Sequence, residues 1–306
     1  MDLRQLEYFR HVAELGSFTR AAAFLSVVQP ALSRQVRQLE IELGQNLFER
    51  NGRGVVLTDA GTRLLDHTRG ILNQIARARQ DLEDQRNGDT GHVALGLPPG
   101  LGHSVTVPLV KAFKAQLPNA SLATVEGLSA YILEWLSLGR VDCALVYNAG
   151  ASPAQNVLPL LDEQLYLVGP HGVGTRRNPP AKSITLAELA DYPLIIPSRP
   201  HAIRMSVENA LAGVDRKILV AHEIESVPAM IDLVRQNFGY AVLGANAIKS
   251  TPWAAEVAVL PIIAPLLKTS LSIVTSSQRP TGPLLRKAID LIRAIVRQEI
   301  IPAEGL

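Results

Sequence analysis

One stretch, Ser17 to Leu43, constrains the fold more than any other, because it reads as two helices joined by a tight turn. Ser17 or Thr19 can cap the first helix, and small residues with high helix propensity follow. Residues 26–29 interrupt the helical pattern. Pro30 then suits the first turn of a second helix, where a missing backbone N–H costs nothing. The sequence therefore predicts a helix-turn-helix.

The second helix of this stretch has one apolar and one basic face. At about 100° per residue, one narrow arc holds Leu32, Val36, Leu39 and Leu43. The opposite side carries Pro30, Arg34 and Arg37, with Ser33 on its flank. Such a helix suits a DNA groove, because the arginine fork matches guanine or phosphate and Gln29 can pair with adenine. The alternative is an ordinary solvated helix, which can also carry two arginines.

The flanking segments complete a small domain. A first helix ending near Gly16 is expected to pack beneath the other two through Leu6, Phe9, Val12 and Ala13. After Gly44, NLFERNGRGVVLT predicts two short strands around a turn at residues 51–54. This hairpin would be a wing, with Arg50 at its base and Arg53 at its tip, where it reaches the DNA backbone or minor groove. A solvated turn is the alternative.

A long helix is expected from Asp59, after the capping residue Thr58, to about Gln85. From Leu64 its apolar positions keep four-three spacing, with Thr68 as the break: 64, 71, 75, 78 and 82. This seam indicates a two-stranded coiled coil, although the body of the same chain is a possible partner. In a symmetric dimer, two heads about one DNA turn apart would read a dyad site.

Residues 87–91, NGDTG, predict a linker, and beyond it strands alternate with helices. The strand candidates are VALGL, SLATV, CALVY, LYLVG, YPLIIP, KILVAHEI, YAVLG, VAVLP and LSIVTS. This rhythm predicts a mainly parallel α/β fold, with room for two subdomains around a cleft. Pockets in such folds lie at strand carboxyl ends and helix amino ends.

Composition narrows the class of protein. The 306 residues carry a net charge of +2, so any nucleic-acid surface must be local. The single cysteine, Cys143, lies in an apolar run and is expected to be a buried, inert thiol in a reducing compartment. The N-terminus does not read as a signal peptide and no stretch reads as a membrane span, so a cytoplasmic location is expected. The seven histidines are scattered, and enzyme motifs are lacking, so neither catalysis nor a metal or cofactor is expected.

The whole chain resembles the LysR-type transcriptional regulators. The resemblance is densest over residues 1–65, in LRQLEYF, GSFTRAA, QPALSRQVRQLEIELGQNLFER and LTDAG. Weaker matches are GRVDCALV and ESVPAMIDLVRQNFGYAVL. The resemblance implies a winged helix-turn-helix DNA-binding domain at 1–58 and a linker and dimerisation helix with a hinge at 59–90. It also implies a type 2 periplasmic-binding-protein effector and oligomerisation domain at 91–306, with subdomain I at 91–162 and 268–306 and subdomain II at 163–267.

The resemblance also implies site residues. The DNA-reading positions fall on Gln29, Pro30, Ser33, Arg34 and Arg37, with Arg50 and Arg53 in the wing. The effector would bind between the subdomains, with candidate contacts from Gly102, His103, Ser104, Ser129, Tyr147, Ser198, Arg199, His201 and Ser226. The SRPHAIR stretch brings cations to the end of a buried-looking strand, although an ordinary polar loop with a solvated Arg204 is the alternative. Many relatives hold a carboxylate with Ser or Thr in the first loop, and PPGLGHS departs from that pattern.

The implied partners are a dyad promoter site, a small-molecule metabolite, further copies in a homodimer or homotetramer, and RNA polymerase. A ligand between the lobes would shift their orientation, and the long helices would pass this on as a change in head spacing. Three alternatives stay open: an exported solute receptor, an enzyme on a two-lobed scaffold, and a DNA binder whose C-terminal domain only oligomerises.

Overall fold

The computed structural model describes residues 1–52, 54–87, 90–171, 182–249 and 252–300, without the side chains of residue 77 and of residues 80–87. The predicted wing-tip residue Arg53 and part of the predicted hinge, residues 88 and 89, lie outside the described residues. The chain divides into two compact units. One comprises residues 1–87 and 135–141, and the other comprises residues 88–134 and 142–306.

The first unit holds the predicted helix-turn-helix and wing. Its elements are α1 (Leu3–Leu15), α2 (Phe18–Phe24), α3 (Gln29–Leu43), β1 (Phe48–Arg50), β2 (Val55–Leu57) and α4 (Asp59–Asn87). Side chains cap the first two helices: Asp2 accepts from the Gln5 N–H at 2.8 Å, and Ser17 from the Arg20 N–H at 3.3 Å. Gly16 then turns the chain in the left-handed conformation at φ 60°. The predicted elements are confirmed.

Two apolar clusters, both of which contact Phe48, hold these elements together. The first contains Tyr8, Val12, Ala21, Ala22, Leu32 and Val36, and the second contains Leu6, Phe9, Leu39, Leu47 and Leu65. Each large side chain contributes about 1.5–3 kcal/mol through burial. Leu43, expected on the same arc, is 38% exposed because it is the last residue of α3 before the left-handed Gly44.

The LTDAG sequence joins the wing to α4. Thr58 Oγ1 accepts from the Gly61 N–H at 3.0 Å and donates to the Asn46 carbonyl at 2.7 Å. Gly61 lies so close to the Leu47 carbonyl oxygen that a Cβ there would overlap it. A Thr and a Gly at these two positions therefore allow the helix to begin directly against the hairpin.

The predicted seam of α4 is incompletely covered in the single chain. Leu64, Ile71 and Ile75 are half-buried, and Ala78 is exposed. The side chain of Leu82 is outside the described set. Thr68 is fully buried.

The second unit is built on one ten-stranded sheet with the order β4-β3-β5-β12-β6-β10-β8-β9, in which β11 also pairs with β6, and β7 pairs with β11. Its strands are β3 (Gly91–Leu97), β4 (Ala120–Glu126), β5 (Cys143–Tyr147), β6 (Gln155–Pro170), β7 (Ile184–Thr185), β8 (Pro193–Ile196), β9 (Leu219–Glu223), β10 (Tyr240–Gly244), β11 (Val257–Ile263) and β12 (Lys268–Ser276). The helices that follow are α5 (Pro99–Gln116), α6 (Ser129–Leu138), α7 (Leu186–Leu189), α8 (Ala202–Ala212), α9 (Val227–Arg235), α10 (Ala245–Lys249), a 3₁₀ turn (Ala254–Glu256) and α11 (Pro283–Glu299).

The sheet is mixed: among the described residues, five strand pairings are parallel and four are antiparallel, where the strand-helix rhythm predicts a mainly parallel fold. Strands β4, β3 and β5 are parallel, as are β9, β8 and β10. Strands β12 and β6 pair antiparallel with their neighbours, and β11 pairs antiparallel with β6 but parallel with β7. The difference arises at β6, where the sequence pattern indicates only residues 165–169. Its first part, through Gln164, pairs with β12, and its last part, from Leu165, pairs with β10. One long strand thus belongs to both halves of the sheet.

Apolar cores lie on both halves. Helices α5 and α11 pack on the half formed by β3, β5 and β12, while α7, α8 and α9 pack on the other half. Cys143 is fully buried in the first core, as its apolar surroundings predict. Within the described residues, every helix is too short or too polar to span a membrane.

Candidate functional site

Helix α3 presents the predicted DNA-reading face to solvent. Gln29, Pro30, Arg34 and Arg37 are exposed, and Ser33 is half-buried. Leu32, Val36 and Leu39 hold the opposite face in the core, so the helix is fixed from behind while its outer face stays free. The structure therefore brings the five α3 residues together on one surface.

Two side-chain hydrogen bonds are described on this face, one short and one long. Gln29 and Ser33 lie one helical turn apart, and Gln29 Nε2 donates to Ser33 Oγ at 2.8 Å. This hydrogen bond orients both side chains. The side chain of Arg37 is 64% exposed, and its Nη1 forms a long ion pair with Glu40 Oε2 at 3.4 Å. A surface ion pair of this kind contributes about 0–1 kcal/mol, so Arg37 can leave Glu40 for a phosphate at small cost.

Glu40 has a second role that the charge pattern did not reveal. Its Oε1 accepts from the backbone N–H of Leu47 at 2.8 Å and of Phe48 at 3.4 Å. The side chain of α3 thereby fixes the start of the wing. Arg50, exposed at the end of β1, is positioned by its pairing with Val55. Nothing in the sequence around Glu40 indicates that its side chain accepts hydrogen bonds from the backbone of Leu47 and Phe48.

The second candidate site lies at the carboxyl ends of the parallel strands. After β3 come Gly102, His103 and Ser104 in the first turns of α5, and after β4 comes Ser129, the first residue of α6. Gly102 is buried, His103 is exposed and Ser104 is half-buried. The Ser129 hydroxyl accepts from the Tyr147 N–H at 3.1 Å, so this hydroxyl holds the end of β5.

A buried carboxylate, Glu163, occupies the point where β6 passes between the two halves of the sheet. It is 4% exposed and accepts from the Tyr147 hydroxyl at 3.1 Å. Asn246 donates to it twice, from the backbone N–H at 3.2 Å and from Nδ2 at 3.0 Å. Burial, together with the adjacent carboxylate, raises the pKa of Tyr147 well above its ordinary value. The Tyr147 hydroxyl is therefore already hydrogen-bonded within the chain, to Glu163.

A second carboxylate lies over the first loop. A Cβ at Gly102 would overlap Glu126 Oε1, so this carboxylate lies against the amino-terminal turns of α5. An acid is favourable there because the amino end of a helix carries a partial positive charge. The position at which the resemblance expects an effector carboxylate is therefore next to a carboxylate of the chain.

The SRPHAIR stretch is internally paired. Arg199 Nε donates to Glu208 at 2.9 Å, and Ser198 Oγ donates to Glu225 at 3.2 Å. His201 Nδ1 accepts from the Ile203 N–H at 3.2 Å and so caps α8. The polar groups of this loop therefore hold the chain around it.

Arg204 is buried, and its interpretation as a solvated helix residue is wrong. Its guanidinium donates to Glu208 at 2.9 Å, to Glu223 at 2.6 Å and to the Pro197 carbonyl at 3.1 Å. Hydrogen bonds to the two carboxylates raise the pKa of Arg204 above its ordinary value. One of these acids, Glu223, is the last residue of β9, and its sequence separation from α8 gave no indication of this contact.

Ser226, the last candidate, is exposed at the amino end of α9 and makes no side-chain capping bond. Sequence reasoning missed Glu126 at the end of β4, Glu163 within β6 and Asn246 in α10. Within the described ranges, His, Cys, Asp and Glu form no cluster of three or more suited to a metal ion.

A helix-turn-helix with a wing, followed by a long helix and a two-part α/β sheet, defines a class of DNA-binding regulators with a small-molecule domain. The comparison with known families agrees. Residues 3–62 match the bacterial regulatory helix-turn-helix protein model of the lysR family, and residues 86–297 match the LysR substrate binding domain. The chain belongs to the LysR family of DNA-binding transcriptional regulators, whose members are regulators and not enzymes.

Full-length relatives support this placement. The chain is 32% identical to the nitrogen assimilation regulatory protein nac of Escherichia coli over 302 residues, covering 98% of this chain and 97% of the relative. It is 29% identical to the DNA-binding transcriptional dual regulator OxyR of Escherichia coli, covering 96% and 95%.

Two solved structures share the fold. A full-length OxyR variant from Pseudomonas aeruginosa matches with a TM-score of 0.71 at 24% identity, covering 97% of this chain and 95% of that chain. The LysR family regulator CbnR, in complex with its target DNA, matches with a TM-score of 0.70 at 24% identity, covering 96% and 100%.

Proposed function

We propose that α3 reads operator bases with Gln29, Ser33 and Arg34, with Pro30 against the groove and Arg37 on a phosphate. Arg50 and Arg53 would extend the contact from the wing to the backbone or minor groove. The observation that carries this proposal is the free outer face of α3, backed by three fully buried residues of the same helix. Phosphate contacts position such a helix, and base contacts specify the site.

The test begins with operator selection. Purified full-length protein is mixed with fragments of the host genome, and bound fragments are sequenced. We expect a small set of sites with an inverted repeat, and an affinity that falls as salt rises, because bound arginines release counterions from DNA. Binding that neither selects a sequence nor depends on salt would contradict the proposal.

We also propose the domain division given by the resemblance: 1–58, 59–90 and 91–306, with subdomains I (91–162 and 268–306) and II (163–267). In its support, β2 ends at Leu57, α4 begins at Asp59 and β3 begins at Gly91. The half-buried seam of α4 supports a homodimer that places two heads on a dyad site, and a homotetramer would pair two such dimers. RNA polymerase would be the partner at the promoter, in the cytoplasm.

The effector site is proposed at the strand ends, lined by Gly102, His103, Ser104, Ser129, Tyr147, Ser198, Arg199, His201 and Ser226. The charges there favour an uncharged or positively charged metabolite over a carboxylate. Glu126 is the last residue of β4, and Glu163 accepts a hydrogen bond from Tyr147 at the end of β5. The two arginines of the SRPHAIR stretch are already paired with Glu208 and Glu223. An added anion would therefore meet acids and no unpaired arginine of that stretch.

A ligand screen by thermal shift tests this site. We expect amines or neutral polar metabolites to raise the melting temperature and carboxylates to leave it unchanged, since a ligand of the folded state stabilises by mass action. Stabilisation by a carboxylate series alone would contradict the charge argument. If the bound ligand left DNA binding and bending unchanged, the domain would serve oligomerisation only.

Peroxide sensing is not proposed, although two relatives are named hydrogen peroxide-inducible genes activators. The single cysteine of this chain is fully buried. Oxidation by peroxide requires an accessible thiolate.

A further inference from the structure

The amino end of α3 lacks the cap that the neighbouring helices have. Its N-cap residue is Val28, whose side chain makes no capping hydrogen bond. By contrast, Asp2, Ser17 and Thr58 accept backbone N–H groups at the starts of α1, α2 and α4. Valine in place of a capping residue costs about 1 kcal/mol of stability.

The side chain of Val28 is also largely exposed to solvent. Its side chain is 70% exposed, the highest exposure among the large apolar residues described. The backbone around it is well fixed: the Val27 N–H donates to the Ala22 carbonyl at 3.0 Å, and the Val28 carbonyl accepts from the Ala31 N–H at 3.0 Å. The two methyl groups are thus held rigidly in solvent, at a position where a polar residue would be more stable.

The surroundings of Val28 fit DNA as the partner. It directly precedes Gln29 and Pro30, on the exposed side of α3 that continues to Arg34. Residues 18–37 contain three arginines and no acid. Residues at the amino end of a recognition helix contact base edges, and a small apolar side chain recognises the C5-methyl group of thymine in the major groove.

We propose that Val28 is a specificity-determining residue that contacts a thymine methyl group in each half of the operator. This inference rests on the proposed role of α3 as the reading helix. The proposal gives the uncapped amino end of α3 a function, the recognition of a methyl group, that the polar residues Gln29, Ser33 and Arg34 cannot perform. Hydrogen-bonding side chains distinguish donors from acceptors, whereas the methyl group is recognised by apolar contact.

Deoxyuridine substitution isolates the proposed contact, because it removes only the thymine methyl group. Each thymine of the selected operator is replaced singly, and the dissociation constant of the full-length protein is measured. We expect one position in each half-site at which the loss of the methyl weakens binding about fourfold, the effect of about 0.8 kcal/mol for one buried methyl.

Two variants of Val28 complete the double-mutant cycle. Val28→Ser should bind the thymine and deoxyuridine operators equally at that position, whereas Val28→Ala, which keeps one methyl group, should retain part of the discrimination. Val28→Ser should also unfold at a higher temperature than Val28→Ala, since its hydroxyl can cap α3. A loss of methyl discrimination without a loss of stability separates the contact from a structural role.

Ile41→Ala is the matched control. Ile41 lies on the same helix and is 68% exposed, but it is near the carboxyl end. This variant should keep the full discrimination between thymine and deoxyuridine. A deoxyuridine scan without effect in the unmodified protein, or undiminished discrimination in Val28→Ser, would overturn the inference.

The same data separate this inference from the proposed function. If Arg34→Ala loses base specificity while Val28→Ser keeps the methyl discrimination, only the Val28 assignment fails. If Arg34→Ala and Arg37→Ala both bind as the unmodified protein does, the reading role of α3 fails first. If Val28→Ser lowers transcription with purified RNA polymerase but leaves DNA binding and methyl discrimination intact, Val28 docks a protein instead, and the inference is overturned.

Discussion

The Tyr147 hydroxyl donates to the Glu163 carboxylate at 3.1 Å, which joins the end of β5 to the strand shared by both halves of the sheet. Glu163 also accepts from Asn246 at the start of α10. The carboxylate therefore ties together three segments that are far apart in sequence. Gly244 allows this arrangement, because a Cβ there would overlap the same carboxylate.

Removing the Tyr147 hydroxyl should destabilise the second unit. Tyr147→Phe leaves a buried carboxylate with one donor fewer, and a hydrogen bond to a charged group contributes about 1.5–3 kcal/mol. Urea unfolding should show a loss of that size. Tyr131→Phe, at a 48% exposed tyrosine, is the control and should change little. Equal effects of the two substitutions would show that the contact adds no stability.

A methyl group at Gly61 should be poorly tolerated. Gly61→Ala forces the first turn of α4 away from the Leu47 carbonyl, and overpacking of this kind costs about 1–3 kcal/mol. Gly100→Ala is the matched variant, since a Cβ there meets nothing within 4 Å. Differential scanning calorimetry should show a lower melting temperature for the first variant only. The close contact is refuted if the two melting curves coincide.

The two arginines of the reading face should differ in their effect. Arg34→Ala should cost about 1–3 kcal/mol and relax specificity at one base pair. Arg37→Ala should weaken binding to all sequences alike and lower the salt slope by about 0.9. Binding titrations at several salt concentrations measure both, with exposed Arg63→Ala on α4 as the control. Uniform behaviour of all three variants would remove the recognition-helix assignment.

The buried hydroxyl of Thr68 should lower stability. Thr68 is fully buried, and its Oγ1 has no hydrogen-bond partner among the described residues. Thr68→Val keeps the shape and removes the unsatisfied group, so the free energy of unfolding should rise by about 1–3 kcal/mol. Thr62→Val is the control, because Thr62 Oγ1 donates to the Thr58 carbonyl at 3.0 Å. A loss of stability in Thr68→Val would mean that the hydroxyl is satisfied in solution.

Acid should weaken the start of α8 through His201. Burial lowers the pKa of His201 below its ordinary value of 6.5, and the nearby Glu225 carboxylate only partly opposes the shift. The neutral ring is the form that accepts from the Ile203 N–H. The stabilising contribution is therefore fully present above pH 6.5 and is lost as the pH falls from there towards the lower folded value.

His201→Asn tests this prediction, because an asparagine oxygen caps a helix without titrating. Unfolding free energies at about pH 7.5 and about pH 5 should fall more for the unmodified protein than for the variant. His11, whose pKa is also lowered by burial, titrates in both proteins and cancels in the comparison. Identical losses in the two proteins would contradict a role for His201.

The helix-turn-helix and its two faces were predictable from sequence because they depend on local periodicity. Apolar residues at steps of four and three, Leu32, Val36 and Leu39, place one side of α3 in the core. The same reasoning located the wing, the long α4 and most strands of the second unit. It failed at β6, where residues 155–164, QNVLPLLDEQ, show no regular alternation of polar and apolar residues and are held by pairing with β12.

By itself, the sequence determined which sides of α1 and α3 are buried and therefore which residues face outward on α3. Only the tertiary structure decided how the charges at the strand ends are paired. Arg204 of α8 forms an ion pair with Glu223 of β9. Glu163 accepts a hydrogen bond from Asn246, which lies 83 residues further along the chain. Periodicity is a local property of the chain, whereas the partner of a buried charge depends on which distant segments the sheet brings together.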